Sequence, residues 1–126
     1  MPNLFLVMLG GAIGSAARYG VGRLGVALLG PAFPWGTLAA NIIGGFLMGA
    51  LAAGLLRFGQ QAEQARLLLG VGVLGGFTTF SSFSLETFAM IQRGDLGVAL
   101  GYVLASVVGA IGAVAIGMIL ARAVTA

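Results

Sequence analysis

The sequence predicts an all-α integral membrane protein, a single four-helix transmembrane domain over residues 1–126, and three observations carry that expectation. Hydrophobic residues make up 60% of the chain and charged residues 7%, with a mean hydropathy of +1.11, whereas a soluble domain has about 25% charged residues. Four apolar runs are separated by three short interruptions. A bilayer core takes about 20 helical residues per crossing, so four crossings use about 80 residues and leave no room for a soluble domain.

The first run extends from about Leu4 to about Leu24. Met-Pro-Asn-Leu-Phe ahead of it has no basic region, and the run ends in arginine rather than a cleavage site, so it reads as a retained helix and not a cleaved signal. Gly10, Gly14, Arg18 and Gly22 recur at every fourth position and so fall near one helical face. Arg18 has two readings, a snorkelling anchor near the helix end, which we place first, and a charge facing a polar interior. Residues 25–35 hold Pro31 and Pro34, which break the helix, and Trp35, which suits a membrane interface.

The second run, about Gly36 to Leu56, repeats Thr37, Asn41, Gly45, Gly49 and Ala53 at spacing four. Small residues permit close interhelical contact, and Asn41 among them must find a hydrogen-bond partner in the protein or in a pore. Residues 57–66 are the one clearly hydrophilic stretch and predict a surface loop. The third run, about Leu67 to Met90, contains Gly75-Gly-Phe-Thr-Thr-Phe-Ser-Ser-Phe-Ser-Leu-Glu-Thr87. Gly75-Gly76 weakens a helix, so the helix is expected to break there. Freed carbonyls at membrane depth bind cations such as Na⁺, and irregular backbone survives there only in protein or against a watery cavity. After Gln92-Arg-Gly-Asp95, the fourth run, about Leu96 to Ala121, shows Gly101, Ala105, Gly109, Ala113 and Gly117 at spacing four beside Tyr102, Ser106 and Ala110.

Cysteine and histidine are absent, which removes disulfides, thiolate nucleophiles, haem ligation and most zinc or copper sites. Six arginines face Glu63, Glu86 and Asp95 with no lysine, too few and too scattered for a nucleic-acid surface, so they read as helix-end anchors. With four crossings, Arg57, Arg66 and Arg122 share one side and Arg18, Arg23 and Arg93 the other. Orientation follows an excess of basic residues, so this balance predicts insertion in both directions. Four short helices do not easily enclose a solvated path. A homodimer of oppositely inserted copies, paired about an axis in the membrane plane, supplies the missing wall.

In the third run, Phe80 and Phe83 lie three residues apart among hydroxyls. Packing is the ordinary role of such rings. Yet an aromatic edge is electropositive, so two inward edges beside Ser and Thr donors can hold a small anion that has shed water. Glu86 is the single carboxylate of the third run, and three roles stay open for it: capping a vestibule, tuning a hydroxyl, or meeting water at a helix end.

Gly10-Gly-Ala-Ile-Gly-Ser-Ala-Ala-Arg-Tyr19, Gly36-Thr-Leu-Ala-Ala-Asn41 and Gly75-Gly-Phe-Thr-Thr-Phe-Ser-Ser-Phe83 resemble the three signature blocks of the bacterial fluoride channel family, often called Fluc or CrcB. The resemblance implies an antiparallel, dual-topology homodimer with two pores in the bacterial cytoplasmic (inner) membrane, surrounded by lipid, exporting F⁻ passively and relieving fluoride toxicity. By the same resemblance Phe80 and Phe83 line the pores and Asn41 is the pore asparagine. Tyr102 and Ser106 begin a polar track whose next position is Ala110 here. Thr37, Thr79, Ser81, Ser82 and Glu86 join the fluoride pathway, and the main-chain carbonyls of Gly75 and Thr78 from both subunits hold a structural Na⁺. Arg18 matches the family's first-helix arginine.

Two other classes fit parts of the pattern. A small dual-topology multidrug exporter driven by protons matches the size and charge balance but needs an embedded carboxylate in the first helix. A non-transporting membrane assembly subunit explains the small-residue faces but not the hydroxyl and phenylalanine cluster. An enzyme is not expected, because Glu86 has no His, Cys or Lys partner.

Overall fold

The computed structural model describes residues 2–125, with no strand among them. Helix α1 spans Pro2–Leu29, five residues beyond the predicted end, because Val26 to Leu29 continue the apolar helical run past Arg23. Arg23 stays on the exposed side, its guanidinium donating to the Tyr19 hydroxyl at 3.2 Å. The turn is accordingly shorter than predicted, from Gly30 to Pro34, and α2 follows at Trp35–Leu55.

The hydrophilic stretch is wound rather than loose. A 3₁₀ segment, Leu56–Ala62, leads into the single α turn α3, Glu63–Ala65, and Arg66 closes on Glu63 with bonds of 3.1 and 2.7 Å. The chain reverses at Gly59, whose φ of 57° and ψ of −132° suit glycine alone. A π-helix, Arg66–Leu74, carries on into α4, Gly75–Phe77, and after a break α5 runs Phe80–Gln92. Gly94, at φ 83°, turns the chain into α6, Leu96–Thr125.

Among the described residues three helical stretches are long and apolar enough to cross a membrane, Pro2–Leu29, Trp35–Gln92 and Leu96–Thr125. The middle one is doubled back on itself. Thr37 meets Glu86, Asn41 meets Thr79, Gly44 lies against Thr78 and Leu51 against Gly70, so its two arms run antiparallel. α1 runs alongside the second arm in the same direction, with Gly10 against Gly72 and Gly14 against Val73 and Phe77. α6 runs parallel to α2, with Ile42 on Gly109 and Val114 on Gly49.

Each spacing-four row predicted one contact face, and those of α2 and α6 do not keep to one. A helix of 3.6 residues per turn drifts about 40° per four-residue step, so five such positions sweep about 160°. On α2, Thr37 and Asn41 face the third segment, while Gly45 and Gly49 face α6. On α6, Ala113 and Gly117 are buried, whereas a Cβ at Gly101 meets nothing and Ala105 is exposed.

Large apolar side chains such as Leu4, Phe5, Ile13, Leu104, Ile111 and Ile119 point outward, the inverse of a soluble fold and what hydrocarbon surroundings demand. Arg57, Arg66 and Arg122 gather at one end of the helical stack and Arg23 and Arg93 at the other. Arg18 does not belong with them. It lies eleven residues short of Leu29, level with the break, and its Nε donates to the Gly76 carbonyl at 3.2 Å. The anchor reading is therefore corrected, since the longer helix leaves Arg18 away from its end, and the balance of end arginines becomes three to two.

Candidate functional site

The site is organised by the break in the third segment. The sequence placed that break at Gly75-Gly76, but both glycines remain helical and the chain extends at Thr78 (φ −88°, ψ 158°) and Thr79 (φ −153°, ψ 123°). Glycine weakens a helix by about 1 kcal/mol, whereas Thr78-Thr79 has partners that compensate for the lost helical bonds. Thr79 N–H donates to Asn41 Oδ1 at 2.8 Å, and Asn41 Nδ2 donates to the Thr79 carbonyl at 3.0 Å. The Thr79 hydroxyl caps α5 by accepting from Ser82 N–H at 3.1 Å. Gly76 serves packing instead, since a Cβ there would stand 2.7 Å from the Gly11 carbonyl oxygen of α1.

In a continuous helix Thr79 N–H and Ser82 N–H would bond the carbonyls of Gly75 and Thr78. Here those donors go to the Asn41 and Thr79 side chains, which frees both carbonyls. Main-chain oxygens without N–H partners suit a hard cation. Among the described residues no group of three or more His, Cys, Asp or Glu offers an alternative metal site.

The hydroxyls divide by role. Thr78 donates to Leu74 O at 3.0 Å, Ser84 to Phe80 O at 2.8 Å and Thr87 to Phe83 O at 2.8 Å, the usual way a helix absorbs a hydroxyl away from water. Ser81 lies exposed, its hydroxyl 3.3 Å from that of Thr79, and Ser82 is half-buried beside it.

Glu86 joins three elements. Its Oε2 accepts from the Thr37 hydroxyl of α2 and its Oε1 from the Tyr102 hydroxyl of α6, each at 2.8 Å. Of the three roles left open for Glu86, these bonds favour the one in which the carboxylate acts on hydroxyls. Glu86 and Thr37 line a cavity of about 710 Å³ whose other walls include Phe33, Trp35, Arg93 and Asp95. On the far side of Tyr102, a second cavity of about 380 Å³ is lined by Asn41, Thr79, Phe80, Phe83 and Ser106, then by Val107, Ala110 and Ile111. Between the two stand the Tyr102 and Phe83 rings, centroids 5.2 Å apart and both buried. The polar line continues from Tyr102 to Ser106 and turns apolar at Ala110.

Phe80 and Phe83 are in contact, centroids 5.6 Å apart, yet differ sharply. Phe83 is 8% exposed and Phe80 77%. In the single chain only Phe83 faces inward, because the break tips Phe80, the first residue of α5, onto the open side. Phe33 is a contributor that sequence reading missed. Its ring meets Tyr102 edge-on at 5.2 Å from a proline-rich turn that carried no signal of that contact.

The hydroxyl of Ser106 has no hydrogen-bond partner among the described residues although the residue is 6% exposed. A buried hydroxyl left unpaired costs about 1–3 kcal/mol. Ser106→Ala is therefore expected to stabilise the fold by about 1 kcal/mol in thermal unfolding. Reduced stability would mean that the hydroxyl is satisfied within the protein.

A family profile described as "CrcB-like protein, Camphor Resistance (CrcB)" matches residues 5–118. The chain is 55% identical to a protein of Phenylobacterium zucineum and 53% identical to one of Caulobacter vibrioides, each over 100% of both chains. It is 52% identical to one of Agrobacterium fabrum over 97% of this chain and 98% of that one. All three relatives carry the name fluoride-specific ion channel FluC.

Proposed function

The chain belongs to the CrcB family, and from that membership we propose that it is a fluoride-specific ion channel, passing F⁻ passively out across the cytoplasmic membrane and so relieving fluoride toxicity. It is a multi-pass bacterial membrane protein and not an enzyme. The observation that carries the reading is the buried, unpartnered Ser106 hydroxyl beside Phe83 and Asn41 in one cavity. Fluoride is small and strongly hydrated, so a pore must replace its water with close donors and electropositive ring edges. Thr37, Glu86 and Tyr102 continue the path toward the cavity of about 710 Å³, with Thr79, Ser81 and Ser82 at the start of α5. The exporter alternative is poorly served, because both oxygens of Glu86 are held by hydroxyl donors and α1 has no carboxylate.

The working unit we propose has four crossings per chain, with the Gly59 reversal dividing the middle stretch, and two oppositely inserted chains. What supports the pairing is the open side of the molecule. α2 floors a trough between α6 and the third segment, in which cavities of about 730 and 380 Å³ share Met48. Gly75 and Phe80 lie exposed on its border. A twofold partner seated there covers Phe80 and doubles the carbonyl set of Gly75 and Thr78 to four oxygens, a fitting shell for a structural Na⁺. Lipid covers the remaining apolar surface.

Liposomes loaded with fluoride and read with a fluoride electrode test the proposal. Purified protein should release F⁻, and an absence of flux rejects the channel reading. Aromatic contacts contribute about 0.5–1.5 kcal/mol each, so Phe83→Ile is expected to slow efflux about tenfold with the dimer intact. Phe80→Ile should do the same only if a partner brings that ring into the path. Undiminished flux in both variants returns the two rings to packing.

A further inference from the structure

We propose that Arg18 is a positioning residue for the break, whose Nε stands in for the Phe80 N–H that a continuous helix would give to the Gly76 carbonyl. This rests on the cation reading above in one respect only, that the flanking carbonyls of Gly75 and Thr78 hold Na⁺. Gly11, Ser15 and Arg18 follow one another at intervals of four and three and so share a face of α1. That face is pressed onto Gly76, where a Cβ would stand 2.7 Å from Gly11 O and 3.2 Å from Ser15 N. Arg18 comes next along it and reaches the Gly76 carbonyl at 3.2 Å while half-buried. Extension at Thr78 and Thr79 carries the Phe80 amide away from Gly76. Without Arg18, the Gly76 carbonyl would join those of Gly75 and Thr78 as a third without a donor at membrane depth, a costly arrangement that favours rewinding the helix. With it, the Gly76 carbonyl is held against α1 while those of Gly75 and Thr78 stay free. Asn41 from α2 and Arg18 from α1 thus grip opposite sides of one discontinuity.

The contact uses Nε, which separates a donor role from a charge role. The amide nitrogen of glutamine sits at the same distance along the side chain as arginine Nε, so Arg18→Gln keeps the donor and loses the charge. Arg18→Met keeps the length and loses both, and Arg18→Lys keeps the charge with its donor one atom farther out. Hydrogen bonds between membrane helices contribute about 0.6–1.7 kcal/mol. Amide exchange across residues 76–82 of the purified protein should therefore quicken about three- to twentyfold in Arg18→Met and match the parent in Arg18→Gln. The rise in Tm on replacing N-methyl-D-glucamine by Na⁺ should be kept in Arg18→Gln and at least halved in Arg18→Met.

Equal exchange in the parent and Arg18→Met overturns the proposal. So does fast exchange in both Arg18→Gln and Arg18→Met with a parent-like Arg18→Lys, which assigns the effect to charge. A parent protein whose Tm ignores Na⁺ overturns the cation reading instead, and the exchange rates then decide the role of Arg18 alone.

Discussion

Leucine in place of Asn41 is expected to abolish fluoride flux and to lower unfolding stability by about 3 kcal/mol. The substitution keeps the branched four-atom skeleton of the side chain but removes both bonds to the Thr79 main chain. The Thr79 N–H and carbonyl are then left in a site that water reaches poorly. Each unpaired group costs about 1–3 kcal/mol, and the chain's cheapest response is to rewind Thr78-Thr79 into helix, which withdraws the Gly75 and Thr78 carbonyls and rotates Phe80. Asn41→Asp separates the two roles of the side chain. It still accepts from Thr79 N–H but donates nothing and adds a negative charge beside the anion path, so stability should fall less than in Asn41→Leu while flux is equally lost. Thermal unfolding and liposome efflux on the same preparations read both quantities. An Asn41→Leu protein with the parent's Tm and flux would remove the clamp from the account of the break.

Alanine at Gly49 is expected to cost about as much, around 3 kcal/mol, by a different route. A Cβ there would overlap the main-chain carbonyl of Val114, with the Val114 Cα at 3.0 Å, so no side chain can swing aside and α2 and α6 must separate. That seam also sets Asn41 opposite Ser106, so its loosening spoils the inner cavity as well as the fold. Gly54→Ala serves as the control. A Cβ at Gly54 meets nothing within 4 Å, and alanine is the better helix former by about 1 kcal/mol. Equal Tm values for Gly49→Ala and Gly54→Ala would mean that the seam yields more readily than its backbone contacts imply.

The helical rods were legible in the sequence because each is a sustained apolar run, and the turns because Pro31, Pro34 and Gly94 mark them. The break was legible as a fact but not in position. Gly75-Gly76 is a local signal, whereas the bonds that fix Thr79 come from Asn41, 38 residues away, which no local pattern encodes. The same distance hid the Thr37 and Glu86 contact, 49 residues apart, and the Phe33 ring on Tyr102. Spacing-four rows misled in a regular way, since integer spacing ignores the drift of a real helix. Gly101 and Ala105 were read into a seam that only the later members of their row reach. Arg18 was misplaced because the end of α1 was set too early.

With Arg18 turned inward, a single arginine separates the two ends of the stack, and that small margin bears on how the protein can be produced. The insertion machinery weighs basic residues near the ends of each crossing, and charges added at a C-terminus can reverse a whole chain. A C-terminal affinity tag rich in lysine or arginine would enlarge the majority already formed by Arg57, Arg66 and Arg122. Newly made chains would then enter mostly one way up and, on the proposed pairing of oppositely inserted chains, leave few inverted copies to assemble with, so a neutral tag is the safer handle for purification.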